Sequence, residues 1–382
     1  MTDLPDRQVP DMWVAVAVTD QLGTRPIRAH YWGSPVVVFR TDDGGVAALA
    51  DRCAHRGVPL SEGTVRDGTI RCDFHHFRFD ATGSCVEVPS EFEVDENFRQ
   101  RCTVRRYFAR ESVGLIWVSA EDEPEAPFPV DHRLLPERYV LQTGHFEVAG
   151  DLRVWMDHFL DIPHCVWAHA ETVYGGSQNA PADLLDHKID IDTDSTYPVR
   201  PAVAMKFGVP DRDPVASYDL LTLAYTTAIR LARRLHLPVK HARPFTQGLE
   251  VHLVTPLCQE THGRIGRMSL PFIGWSGLAP IDENRHQFFY SGIVPWNGEG
   301  RLRRALFRTA VKHFAERHLG HEDNRFLAAA AYVEGEEFHD TPMDTTVRAM
   351  RSLFADYQKR KAHLYSSDSL LPQLDYHDEK TS

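Results

Sequence analysis

Cys53, His55, Cys72 and His75 form two short mixed pairs, C-x-H and C-x-x-H, with sixteen residues between them. Thiolates and imidazoles are metal ligands, and each pair supplies one of each. A 2Fe–2S centre with both Cys on one iron and both His on the other needs this set. Structural zinc also takes two Cys and two His, but finger-type sites pair Cys with Cys and His with His. Mixed pairs let each loop give a thiolate to one iron and an imidazole to the other. The spacing therefore predicts an electron-carrying cluster rather than zinc. Gly57, Pro59 and Gly83 follow the pairs and suit tight loops whose N–H groups can face sulfur.

A second group begins about ninety residues later. Asp157, Asp161 and His164 recur at i, i+4 and i+7, one face of a helix. Pro163 predicts a kink or an end there, which lets His169 turn back toward the same point. Two neutral His and a carboxylate make the facial triad of non-haem Fe(II), with positions left open for O2 and substrate. The alternative is a polar helix face with incidental His. His158 lies beside that face and is read as a non-ligand.

The runs Asp51–Gly63, Cys72–Asp80 and Gly83–Cys85 closely resemble the Rieske domain of the Rieske non-haem iron oxygenases. That family often has Pro where this chain has Ala54, and usually Gly and Trp where it has His76 and Phe77. The two-residue spacing makes His75 the ligand, with His76 packing or donating to a neighbour. Cys85 matches a frequent non-ligand Cys and reads as a small buried hydrophobe.

Asp151–His169 resembles the catalytic signature of the same family. The resemblance implies that His164 and His169 are iron ligands. It makes Asp161 a bridging carboxylate between a cluster His of a neighbouring subunit and a ligand His of its own. Asp157 either assists that bridge or solvates the helix. The third ligand is implied on a C-terminal helix: Asp323 within His318–Leu327, with Glu322 as runner-up.

The implied cofactors are a Rieske 2Fe–2S cluster and mononuclear Fe(II). A ferredoxin or flavin reductase would supply electrons to a homotrimer whose cluster sits near the next subunit's iron. Hydroxylation or O/N-demethylation leads among the reactions. Ring cis-dihydroxylation follows, then N-oxygenation or oxidative ring closure in natural-product biosynthesis. An electron carrier without oxygenase activity is the competing class, and it has no need of Asp161, His164 and His169.

These residues need a scaffold, and 382 residues allow two domains or one large one. The implied fold is α+β: a β-rich Rieske domain, then a catalytic domain with helices over a curved antiparallel sheet, of helix-grip type. The boundaries read as a tail 1–11, a Rieske domain 12–120, a linker 121–136 rich in Pro and acids, a catalytic domain 137–366 and a polar tail 367–382. Val113–Val118 reads as a closing strand, and Leu152–Leu160 as helix. His187–Asp192, Leu249–Leu253 and His286–Ile293 read as strands, and Arg301–Val333 as a long helix, broken at Gly320. The basic stretch Ile229–Arg243 reads as a solvated helix face, and the aromatics from Phe272 to Trp296 as core.

The net charge of −12 argues against a nucleic-acid partner. No apolar run is long enough to span a membrane. The polar start of the chain does not read as a secretory signal. The six Cys show no disulfide framework, so a reducing, cytoplasmic compartment is expected.

Overall fold

The computed structural model describes residues 12–89, 92, 94–124, 128–132, 135–161, 164, 168, 190–192, 203–208, 246–255, 257–265, 270–296, 301–313, 315–316, 320–331 and 339–352. His169 and the basic stretch 229–243 lie outside the described residues.

The first part is two antiparallel sheets. β1 (Val14–Val18), β2 (Ile27–Tyr31), β3 (Ser34–Arg40), β4 (Val46–Ala50), then β5 (Thr64–Arg66), β6 (Thr69–Arg71), β7 (Arg78–Phe79) and β8 (Cys85–Glu87) follow in sequence. After α1 (Glu96–Arg101) come β9 (Arg106–Ser112) and β10 (Leu115–Ser119). The larger sheet has the order β1-β10-β9-β4-β3-β2, and β5-β6-β7-β8 form the smaller one. The closing strand starts two residues later than the sequence suggests. Val113 and Gly114 have φ of 50° and 73° and make the β9–β10 turn instead. The segment after residue 120 packs on this sheet: Phe128 sits edge-on to Trp13 and Trp117, and Val130 is buried.

The second part is built on one seven-stranded antiparallel sheet. It contains β11 (Tyr139–Ala149), β12 (Asp190–Asp192), β13 (Val203–Gly208), β14 (Thr246–Thr255), β15 (Cys258–Ile265), β16 (Leu270–Pro280) and β17 (Arg285–Pro295). Their order is β11-β17-β16-β15-β14-β13-β12. Three helices matter here: α2 (Leu152–His158), α3 (Arg301–His313) and α4 (Gly320–Leu327). The long C-terminal helix is thus two helices, and the second stops at Leu327. A turn follows, with Ala330 N–H bonding the Leu327 carbonyl.

β11 shows how the parts fit. Side chains alternate across a strand. Leu141, Thr143 and His145 face the first domain: Leu141 and Thr143 meet the β9–β10 turn, and Gln21 bonds His145 at 2.8 Å. Gln142 and Phe146 face the helices: Arg308 of α3 bonds Gln142, and Phe146 packs against Gly320 of α4. β17 repeats the pattern in register. Ser291 donates to the Val113 carbonyl, while Phe288 packs against Trp155 of α2 and Phe159. The sheet is therefore a wall with the first domain on one face and the helices on the other.

Two apolar cores follow. One runs from β1 and β10 through this wall to α2. The other is separate and contains Cys53 and Cys72, packed with Leu60, Phe77 and Phe79. On the larger sheet Trp275 and Phe289 are buried, as core. Glu260 is fully buried there with its oxygens taken by Trp275 Nε1 at 2.8 Å and His262 Nε2 at 2.6 Å.

Candidate cluster loops and metal pocket

The two cluster loops have one backbone design. In the first, Gly57 N–H bonds the Cys53 carbonyl and Cys53 N–H bonds the Val58 carbonyl, both at 2.8 Å. In the second, His76 N–H bonds the Cys72 carbonyl at 2.7 Å and Cys72 N–H bonds the Phe77 carbonyl at 2.9 Å. Each loop projects its Cys inward and its His outward. Asp51 braces the first loop, accepting from Ser61 N–H and Oγ at 2.7 Å.

The loops bring Cys53, His55, Cys72 and His75 together. The ring centroids of His55 and His75 are 4.7 Å apart, and His55 stacks on Phe77 at 4.5 Å. His76 is exposed. Burial, with the Cys72 sulfur close by, pushes the Cys53 thiol up to about 11, so a thiolate there calls for a cation. Burial first, then His75 and Arg56, lowers the His55 pKa. Its Nδ1 is buried without a hydrogen-bond partner. Two crowded thiols and a bare ring nitrogen fit an iron–sulfur cluster.

Across the wall lies an open cavity of about 320 Å³. Asp157, His158, Asp161, His164, Asp323 and Arg351 line it, with apolar walls besides. Asp151 caps α2 by accepting from Arg153 N–H at 2.9 Å. The helix ends at His158, so Asp157, Asp161 and His164 do not share one helix face as the periodicity predicts. Asp161 opens a new helical turn: its carboxylate accepts from His164 N–H at 3.3 Å, and Ala168 N–H bonds the His164 carbonyl at 2.7 Å. The Asp161 carbonyl meets His164 Nδ1, which fixes the tautomer. The Asp161 carboxylate is 3.9 Å from that ring nitrogen. Burial raises its pKa, against the lowering by His164 N–H and His158.

Asp157 is not a solvated residue of the helix. It is buried and held by Arg351, Nε to Oδ1 at 3.1 Å, and Arg351 also reaches Asp340 at 3.2 Å. Asp323 enters the cavity from the first turn of α4. Asn324 Oδ1 accepts from Ala149 N–H at 2.8 Å and ties that helix to the end of β11. Gly150 has φ of 118°, and a Cβ there would stand 2.2 Å from the Leu327 carbonyl, so only glycine permits this approach.

The structure also brings His158 into the group. One donor atom each from His158, His164 and Asp323 lie within 4.8 Å of one another. On periodicity alone His158 falls beside the face of Asp157, Asp161 and His164, and so reads as a non-ligand.

Residues 12–98 match the Rieske 2Fe-2S domain family. Among curated proteins, the chain is 32% identical over 192 residues to a putative toluene-4-sulfonate monooxygenase system iron-sulfur subunit of Comamonas testosteroni, covering 49% of this chain and 53% of that one. It is 28% identical over 185 residues to a vanillate O-demethylase oxygenase subunit of a Pseudomonas species, covering 47% of this chain and 50% of that one. The chain spans about half the length of the curated relatives it matches. Dicamba monooxygenase bound to dicamba superposes with a TM-score of 0.68 at 19% identity, over 92% of this chain and 98% of that one.

Residues 12–98 are thus a Rieske 2Fe-2S domain, and the chain as a whole has the fold of dicamba monooxygenase. No helix among the described residues is long and apolar enough to cross a membrane.

Proposed function

We propose that this protein is the terminal oxygenase component of a multicomponent monooxygenase that hydroxylates or demethylates a small aromatic or polycyclic substrate. When bound, the 2Fe–2S cluster and the mononuclear iron supply one-electron transfer and O2 activation. Cys53, His55, Cys72 and His75 hold the cluster. His164, His169 and Asp323 hold the mononuclear iron. The observation that carries the reading is the convergence of Asp161, His164 and Asp323 on one cavity, across the wall from a Rieske domain.

Each residue has a task. His164 presents Nε2 because Nδ1 is engaged by the Asp161 carbonyl. Val154, Phe326, Leu327 and Val347 wall the cavity and suit an apolar substrate body. The relatives acting on toluene sulfonate, vanillate and dicamba support an aromatic class.

Electrons come from a ferredoxin or a flavin reductase. Within one chain the seven-stranded sheet stands between cluster loops and cavity, so the productive path runs between subunits of a homotrimer. Phe74 and Phe92, 61% and 38% exposed, lie against His75 and give the cluster end an apolar face for a second copy. Asp161 of that copy then links the two sites.

The test starts from anaerobically purified protein. A third iron beyond the cluster pair is expected in every chain. Reduced protein is then exposed to isotopically heavy O2 with an extract of the producing cell. One labelled oxygen in a product, or loss of a methyl group, supports the reading. Two labelled oxygens would replace it with dioxygenation. A chain holding the cluster irons alone, with no product, would leave an electron carrier.

A further inference from the structure

His158 is the last residue of α2, and it stands inside the pocket. Its Nε2 is 3.3 Å from Asp323 Oδ2, and its ring centroid is 4.0 Å from that of His164. The side chains of His158 and Asp323 are each only 12% exposed. We propose that His158 is a further imidazole ligand of the mononuclear iron, so that this centre takes three His and one carboxylate. The proposal rests on the oxygenase reading of the cavity and changes its ligand set.

The His158–Asp323 separation suits two donors on one ion as well as a direct pair, and His164 within the same 4.8 Å group favours the ion. Two donors held about 2.1 Å from one ion stand about 3.0–3.5 Å apart. Orientation agrees. Trp155 packs edge-on against the His158 ring at 5.5 Å, and its Nε1 donates to the Ala149 carbonyl at 2.8 Å, so the backing of the ring is fixed. Asp157, the nearest other carboxylate in sequence, is held by Arg351. Asp323 is fixed from its own side through Asn324.

The chemical consequence is a more crowded and more nitrogen-rich centre. Six-coordinate iron with two His and a carboxylate keeps three positions open, and His158 reduces these to two. The richer imidazole set also raises affinity for divalent ions that favour nitrogen.

The test uses the full-length protein with its cluster oxidised, a state silent in electron paramagnetic resonance. Fe(II) is added at the second site with nitric oxide as the spectroscopic probe, and pulsed resonance counts coordinated imidazole nitrogens. Wild type is expected to show three imidazoles. His158→Asn should show two, with Fe(II) affinity at least about tenfold weaker. His164→Asn should lose the third iron. Cluster absorbance of each variant reports folding, and the wild-type count stands without any variant. Identical spectra for wild type and His158→Asn would overturn the assignment and leave the oxygenase reading intact, and two imidazoles in wild type that fall to one in His158→Asn would overturn the three-His set. A wild type without a third iron, or a His164→Asn variant that keeps it, would overturn both.

Discussion

His76 occupies in the second cluster loop the position that Gly57 occupies in the first. Each donates its N–H to the carbonyl of the Cys four residues back, and each has a left-handed backbone, φ of 61° and 73°. The loops are copies in backbone, and one carries a side chain where the other has none.

A left-handed residue with a Cβ is strained by about 1–2 kcal/mol, partly offset because glycine is freer when unfolded. His76→Gly should therefore stabilise the first domain by about 0.5–1 kcal/mol with the cluster retained. Thermal melting and cluster absorbance check this. A lower melting point would show that the exposed His76 ring makes contacts that outweigh the strain.

Asp161→Asn keeps a side-chain acceptor for His164 N–H, since Asn caps helices as well as Asp does. Both metal centres should load, while passage of electrons between them is blocked. The readout is cluster oxidation after reduced protein meets O2 with substrate. Oxidation at the wild-type rate would remove Asp161 from the electron path.

Arg351 holds two carboxylates, Asp157 and Asp340, with side chains 13% and 22% exposed. Arg351→Leu leaves both without that cation and should cost about 3 kcal/mol, read by denaturant unfolding. Asp157→Asn should cost less, because the amide still accepts from the guanidinium. Equal losses would mean that the charge pairing with Asp157 carries the whole contribution of Arg351.

His286 is fully buried, with Nε2 donating to the Gly150 carbonyl at 2.9 Å and Nδ1 without a partner. Burial lowers its pKa below 6.5. Above that pH the ring is neutral folded and unfolded, and it contributes no pH dependence. As pH falls below 6.5 the unfolded chain takes the proton first, so stability drops until the folded pKa is reached. His286→Gln should flatten this part of the stability–pH curve. An unchanged slope would assign the acid loss to other groups.

The grouping of Cys53, His55, Cys72 and His75 was legible in the sequence because the four sit on two local loops. The β-rich character of β17 and the start of α2 were legible for the same local reason. His158 was hidden because placing it needs the true end of α2, and the end comes from Asp161 capping a new turn. The overlong C-terminal helix has a similar cause. Ala328–Ala331 favour helix by composition, yet the chain turns after Leu327. Asp323 beside His158 depends on α4 docking through Asn324 on Ala149, a contact across 175 residues that no local pattern encodes.

The alternation along β11 makes that strand intolerant of a particular kind of change. Substituting one residue touches one neighbour. Deleting one residue is a frameshift in space: everything beyond it turns over, Thr143 and His145 are delivered to the helices, and Gln142 and Phe146 to the Rieske domain. Both metal sites lose their backing at once, although neither has lost a ligand.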